Sequence, residues 1–266
     1  MLLSHGTGGS AVQMAWLGME LARHGYIAVA VNHPGNNATE PYTAEGFALW
    51  WERATDLSEV LDGMLADATF GARIDARRVG AAGFSMGGYT VLELAGARTN
   101  QQAFLDACKA QPSQPTCHLP EMKDFGDNDR MMTGVRASSA ESLARSGASY
   151  CDPRIRAVFA ISPAVGQAFP AGSFRGVKIP VGLVVGASDP IAPAPVNAAM
   201  EQREIPGTQL TILPGGVAHY TFLDTCTAAG KAAIPVYCAD EPGVDRDTVH
   251  AQVVEMAERF FDRELR

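Results

Sequence analysis

Gly83-Phe84-Ser85-Met86-Gly87-Gly88 is the stretch on which the reading of this chain turns. It follows the apolar run Arg78-Val-Gly-Ala-Ala-Gly83 and precedes a helical pattern over residues 89–97. Gly-x-Ser-x-Gly between a strand and a helix makes a sharp turn that holds a serine hydroxyl out of the backbone. Such a turn strains the serine backbone. The flanking glycines have no Cβ, so neighbouring elements can close in. The hydroxyl then sits at a helix N-terminus, where backbone N–H groups favour negative charge. The competing reading is a glycine-rich turn with an incidental serine, and the correct flanks on both sides favour a nucleophile.

Outward from this turn, apolar runs alternate with helical stripes. Tyr26-Ile-Ala-Val-Ala-Val31, Ile155-Arg-Ala-Val-Phe-Ala-Ile161, Val181-Gly-Leu-Val-Val185 and Gln209-Leu-Thr-Ile-Leu213 read as strands buried on both faces; Leu2-Leu3 and residues 78–83 bring the strand count to six. Met14, Leu17 and Leu21 mark one helix, Leu57, Val60, Leu61, Met64 and Leu65 another, and Val249, Val253, Met256 and Phe260 a closing one. The alternation predicts an α/β fold in one domain over residues 1–266: a mostly parallel sheet of about six strands with helices on both faces. Residues 98–152, rich in Gln, Asn, Ser, Pro and charge, break the rhythm. They read as an insertion, a partial cap with one short helix around residues 103–109.

The chain resembles the α/β-hydrolase superfamily, and within it the bacterial dienelactone-hydrolase-like and platelet-activating-factor-acetylhydrolase-like serine esterases. The matching pieces are Leu3-Ser-His-Gly-Thr-Gly-Gly9, His24-Gly-Tyr26 with Val31-Asn-His-Pro-Gly35, the Ser85 turn, Gly186-Ala-Ser-Asp189 and Ala218-His219. Dienelactone hydrolases use a cysteine nucleophile. Ser85 in its place directs the expectation to ordinary carboxylic esters, cleaved through an acyl-enzyme with no cofactor and no metal.

A serine needs a base, and the base needs an orienting acid; on this fold the chain order is Ser, then Asp or Glu, then His. Three histidines follow Ser85. His118 lies in the insertion and His250 in the last helix pattern, whereas His219 ends the loop Pro214-Gly-Gly-Val-Ala-His219 after the last strand. His219 is the expected base. Asp189, in the turn after residues 181–185, is the expected acid, with Asp224 as the alternative and Asp152 at the wrong edge. An oxyanion needs two aimed donors. Met86 N–H is one, and by resemblance Thr7 N–H is the other. His5, Gly6, His33 and Trp51 are candidate pocket-lining residues; core packing competes for Trp51 and its neighbour Trp50, and a polar loop for His33 with Asn36-Asn37. Asp124, Asp127 and Asp129 lack the spacing of a calcium loop and read as solvated surface.

Composition narrows the classes further. The 266 residues are 47% hydrophobic and 19% charged, with a net charge of −8, which excludes a disordered chain. No basic cluster points to nucleic acid, no run reaches membrane-spanning length, and a small-molecule ester is the expected partner. All five cysteines lie in irregular stretches. Either they are reduced thiols, or Cys108–Cys117 and Cys226–Cys238 are local bridges with Cys151 free; bridges point to an exported parent protein whose signal is not in this sequence. The chain opens directly on an apolar strand. By resemblance other strands precede it, so the 26–31 strand is expected at an open edge, with a shortened start or a homodimer covering it. Thioesterase, acyltransferase, peptidase and a non-catalytic ligand-binding protein are the alternatives on the same scaffold.

Overall fold

The computed structural model describes residues 1–126 and 128–265. Six strands form one parallel sheet: β1 (Leu2–Ser4), β2 (Val29–Ala30), β3 (Val79–Phe84), β4 (Ile155–Ile161), β5 (Val181–Gly186) and β6 (Gln209–Leu213). Their order is β2-β1-β3-β4-β5-β6. The helices are α1 (Ala15–Arg23), α2 (Ala44–Ala48), α3 (Glu52–Ala66), α4 (Met86–Leu94), α5 (Gln101–Ala110), α6 (Asn128–Ser138), α7 (Ala140–Ala144), α8 (Ala198–Glu204), α9 (Ala228–Ala233), α10 (Pro235–Cys238) and α11 (Arg246–Glu264). Among the described residues no helix is long and apolar enough to cross a membrane.

Strand side chains alternate between two cores, as a period of two requires. Leu2, Val79, Ala81, Val158, Leu183 and Val185 pack with Leu57 and Leu61 of α3 and with α4. Leu3, Ala82, Phe84, Phe159, Ile161 and Val184 pack with Leu17 and Leu21 of α1 and with Val253, Phe260 and Phe261 of α11. β2 lies at the sheet edge where the 26–31 strand was expected, but both outer strands are less buried than expected, and β2 is shorter. β2 pairs only through Val29 and Ala30 and is half-buried, and β6 is mostly exposed, because each occupies a sheet edge with a neighbour on one side only.

Helix α4 begins at the residue after Ser85 and is buried along its whole length. It stops three residues before the expected end. Gly96 turns left-handed (φ +115°) and Ala97 N–H returns to Leu92 O (2.9 Å), closing the helix C-terminus. Residues 98–152 hold α5, α6 and α7 where one helix was expected. Met131, Met132 and Val135 of α6 are buried on a stripe too narrow to stand out among polar neighbours. Cys108 is bonded to Cys117 and Cys226 to Cys238, and Cys151 is a free, exposed thiol. Asp124 and Asp129 are exposed, and Asp127 lies outside the described residues.

Burial of Glu93 inside α4 has a consequence for stability. Thr99 hydroxyl donates to one of its oxygens, and the other has no partner. Burial pushes the carboxyl up from 4.5 to about 8. The unfolded chain therefore releases this proton well before the folded one, and stability falls as pH rises between those values and levels off above about 8. Glu201 of α8, buried with neither oxygen paired, acts with the same sign. Glu93→Gln removes the first contribution alone. Its melting temperature relative to wild type is expected to be higher at pH 8 than at pH 5 by about 5–10 °C, from roughly 3 kcal/mol; an equal shift at both pH values contradicts it.

Candidate active site

Ser85 stands at the β3–α4 turn with φ +56° and ψ −117°, a left-handed backbone that a serine seldom adopts. The turn closes because its glycines let backbone meet backbone. A Cβ on Gly83 would lie 2.2 Å from Gly87 O, and one on Gly87 would lie 1.9 Å from Ser4 O. These approaches bring α4, β3 and the end of β1 into one point.

His219 begins the 3-10 turn His219–Phe222 after β6, and its Nε2 lies 2.9 Å from Ser85 Oγ. Its Nδ1 lies 2.7 Å from Asp189 Oδ2. The Asp189 carboxylate accepts a hydrogen bond from Nδ1–H, so Nε2 carries the lone pair that accepts the serine hydroxyl. Asp189 Oδ1 accepts the N–H groups of Ile191 (2.9 Å) and Ala192 (2.7 Å). Burial acts to raise the Asp189 carboxyl, but the interaction with His219 and the donated hydrogen bonds outweigh it and hold the carboxyl below its usual range. Asp224 reaches neither His219 nitrogen in a hydrogen bond, and Asp152 is paired with Arg154 at the other end of β4. His250 is a buried structural histidine, bonded to Thr221 O and stacked on Trp16.

The loop after β1 supplies the second wall. Gly8 takes φ +62°, its N–H donates to Asn36 Oδ1 (2.8 Å), and its carbonyl accepts the Tyr42 hydroxyl (2.9 Å). Gly9 N–H closes back on Gly6 O. Among the described residues the N–H groups of Thr7 and Met86 have no such partner, Met86 because a first-turn helix N–H has no intrahelical acceptor.

Of the expected lining residues, the structure brings only Gly6 to the pocket beside Ser85. That pocket has a volume of about 380 Å³, and Thr7, Phe84, Leu119, Tyr220, Leu223 and Tyr237 are among its walls. Trp51 is fully buried, and its indole N–H donates to Ser142 Oγ (2.9 Å) in the 98–152 segment. His5 and His33 lie behind the loop rather than in front of it, because polar partners there satisfy both rings. His5 Nδ1 donates to Gly6 O (2.6 Å) and its Nε2 accepts His33 N–H (3.2 Å). Burial, then the Arg53 charge, holds His5 down at about 3, a neutral ring. His33 Nδ1 donates to Asp56 Oδ2 (2.7 Å) and Nε2 accepts the Ser4 hydroxyl (2.8 Å). Ser4–His33–Asp56 thus repeats the order of Ser85–His219–Asp189, but Ser4 is completely buried, so no substrate can reach it.

Arg53 unites this brace and was not singled out in the sequence. Its guanidinium donates to His5 O, Ser4 Oγ, Asn36 Oδ1 and Thr90 Oγ1. The signal was its position: Arg53, Leu57 and Leu61 fall four apart on the buried face of α3. Glu121, Tyr42, Tyr220 and Tyr237, which also line the pocket, were missed as well; only Tyr220, next to His219, had a signal. Among the described residues no group of three or more His, Cys, Asp or Glu is gathered as metal ligands.

A model of the alpha/beta hydrolase family matches residues 1–229. Curated relatives include lipase 1 of Moraxella sp. (strain TA144), 36% identical over 90 residues, which are 34% of this chain and 25% of the lipase. Cutinase est1 of Thermobifida alba is 35% identical over 103 residues, 38% of this chain and 31% of the cutinase. The matched stretch thus spans between a quarter and a third of these relatives. Among solved structures, a ferulic acid esterase from Streptomyces cinnamoneus aligns with a TM-score of 0.61 at 20% identity over 99% of this chain and 66% of that one, a likeness of fold.

Proposed function

The chain belongs to the alpha/beta hydrolase family, and from that premise we propose that it cleaves carboxylic esters through an acyl-enzyme on Ser85. One observation carries the reading: Ser85, His219 and Asp189 form a hydrogen-bonded relay of 2.9 and 2.7 Å that opens into a pocket. Ser85 Oγ attacks the ester carbonyl as His219 Nε2 takes its proton. Asp189 holds the tautomer and stabilises the imidazolium. The carbonyl oxygen, now negative, takes hydrogen bonds from Thr7 and Met86 N–H. The imidazolium returns its proton to the departing alkoxide, and water activated by the same imidazole then releases the acid and restores Ser85. The names of the relatives, lipase, cutinase and ferulic acid esterase, support the same bond class.

We also propose residues 98–152 as a partial cap on a single α/β unit. Leu119 and Glu121 of that segment line the pocket, which supports this role.

The test is chemical. A fluorophosphonate should label the protein once, on Ser85, and ester turnover should fall in proportion to labelling. Intact turnover in fully labelled protein, or labelling elsewhere, contradicts the proposal.

A further inference from the structure

One corner of the Ser85 pocket has no part in the cleavage steps. Glu121, on the 3-10 turn Pro120–Phe125, lies directly on the glycine loop: a Cβ on Gly8 would sit 2.9 Å from Glu121 Cγ and 2.9 Å from the Tyr42 hydroxyl. Among the described residues its Oε2 is buried without a hydrogen-bond partner. Tyr42, Tyr220 and Tyr237 line the same pocket; Tyr237 interacts with the carboxyl, and the Tyr220 and Tyr237 rings meet edge to face with centroids 5.0 Å apart. Asp224 is a second carboxylate in the lining, and among the described residues no lysine or arginine lines this pocket.

We propose that this corner is a subsite for a protonated primary amine, and that amine-bearing esters are the preferred substrate class; the inference rests on the ester-hydrolase reading above. Three features converge on an ammonium. A buried acceptor without a donor is costly, and an ammonium supplies donors to it. Aromatic walls attract a cation through their ring faces. Glu121 lies against the residue next to Thr7, so a bare carboxylate there opposes the charge that develops on the carbonyl oxygen, and a substrate cation cancels that opposition in the transition state. Burial already holds the Glu121 carboxyl above its usual range, with Tyr237 and His219 only partly opposing. A seated ammonium favours the charged form of the carboxyl. A neutral substrate gains none of this, and an anionic one meets two carboxylates.

Two matched ester pairs test the subsite, one for each side of the scissile bond: 4-(aminomethyl)benzyl butyrate against 4-ethylbenzyl butyrate, and p-nitrophenyl 4-(aminomethyl)benzoate against p-nitrophenyl 4-ethylbenzoate. In at least one pair the amine is expected to raise kcat/KM about tenfold at pH 7.5, with that ratio falling to within about twofold of one in Glu121→Gln and partly restored in Glu121→Asp. A wild-type ratio at or below one in both pairs, or a ratio untouched by Glu121→Gln, overturns the proposal. Calorimetric binding of 4-methylbenzylammonium, which needs no turnover, should weaken by a similar factor in Glu121→Gln. If neutral esters turn over and Ser85 is labelled but the amine gives no advantage, the subsite alone fails. If no ester turns over and Ser85 stays unlabelled, the hydrolase reading fails, and the ammonium titration still decides the subsite.

Discussion

Ser85→Ala is expected to lower kcat/KM for p-nitrophenyl butyrate by about 10⁵-fold or more, with a melting temperature close to wild type. The size follows from the relay. In the proposed mechanism His219 and Asp189 act only through the Ser85 hydroxyl, so its removal forfeits the contribution of all three groups at once, and what remains is binding and the proposed oxyanion donors. Stability should hold because alanine at this position inherits the same φ of +56° and the same backbone contacts, while the one hydrogen bond lost, to His219 Nε2, leaves an imidazole at the pocket wall where water can replace the hydroxyl. Initial rates and thermal melts on the same preparation measure both. Turnover within a hundredfold of wild type places the nucleophile elsewhere; a collapsed melting temperature would make Ser85 a structural residue.

The parts legible in the sequence were those whose physics is local. Glycines at 83 and 87 announced a turn that only they allow, and the structure gives the reason: any Cβ there meets backbone. Strands β3, β4 and β5 read as continuous apolar runs because helices cover both of their faces. His219 and Asp189 were expected from chain order and from their places after strands, without knowledge of the 2.7 Å contact between them. The rest depended on what chain segments meet. Residues 26–31 are as apolar as a central strand, yet an edge has one neighbour, and only Val29 and Ala30 pair. His33 looked like pocket lining because it follows β2 at the catalytic end of the sheet, but Ser4 and Asp56, far from it in sequence, turn its ring inward. Glu121 carried no signal at all, since an acidic residue in a polar stretch reads as surface until that stretch is laid over the glycine loop.

Arg53→Met is expected to reduce kcat by about 10²-fold with little change in KM, and to destabilise the fold by roughly 3 kcal/mol. Arg53 is buried, and burial pulls it down to about 9 against the opposing Asp56 carboxylate, so it remains a cation at neutral pH. That cation sits under the loop that ends in Thr7. It fixes His5 O directly, steadies Ser4 Oγ, and shares Asn36 Oδ1 with Gly8 N–H. Asp56, already raised to about 6 chiefly by burial, depends on Arg53 to stay charged enough to orient His33. Methionine fills the volume of the side chain but returns none of its donors, so His5 O is left unpaired and Asp56 loses its counter-charge. The loop then samples positions in which Thr7 N–H no longer points at the carbonyl oxygen. In the proposed mechanism that donor acts mainly on the oxyanion, so the loss belongs in kcat rather than KM. Fluorophosphonate labelling of Ser85 should slow in parallel, since it passes through the same hole, and Arg53→Lys, which keeps the charge but not the fork of donors, should fall between the two. A variant that melts lower yet keeps kcat within threefold would show Arg53 to be a stabilising residue with no hold on the oxyanion loop.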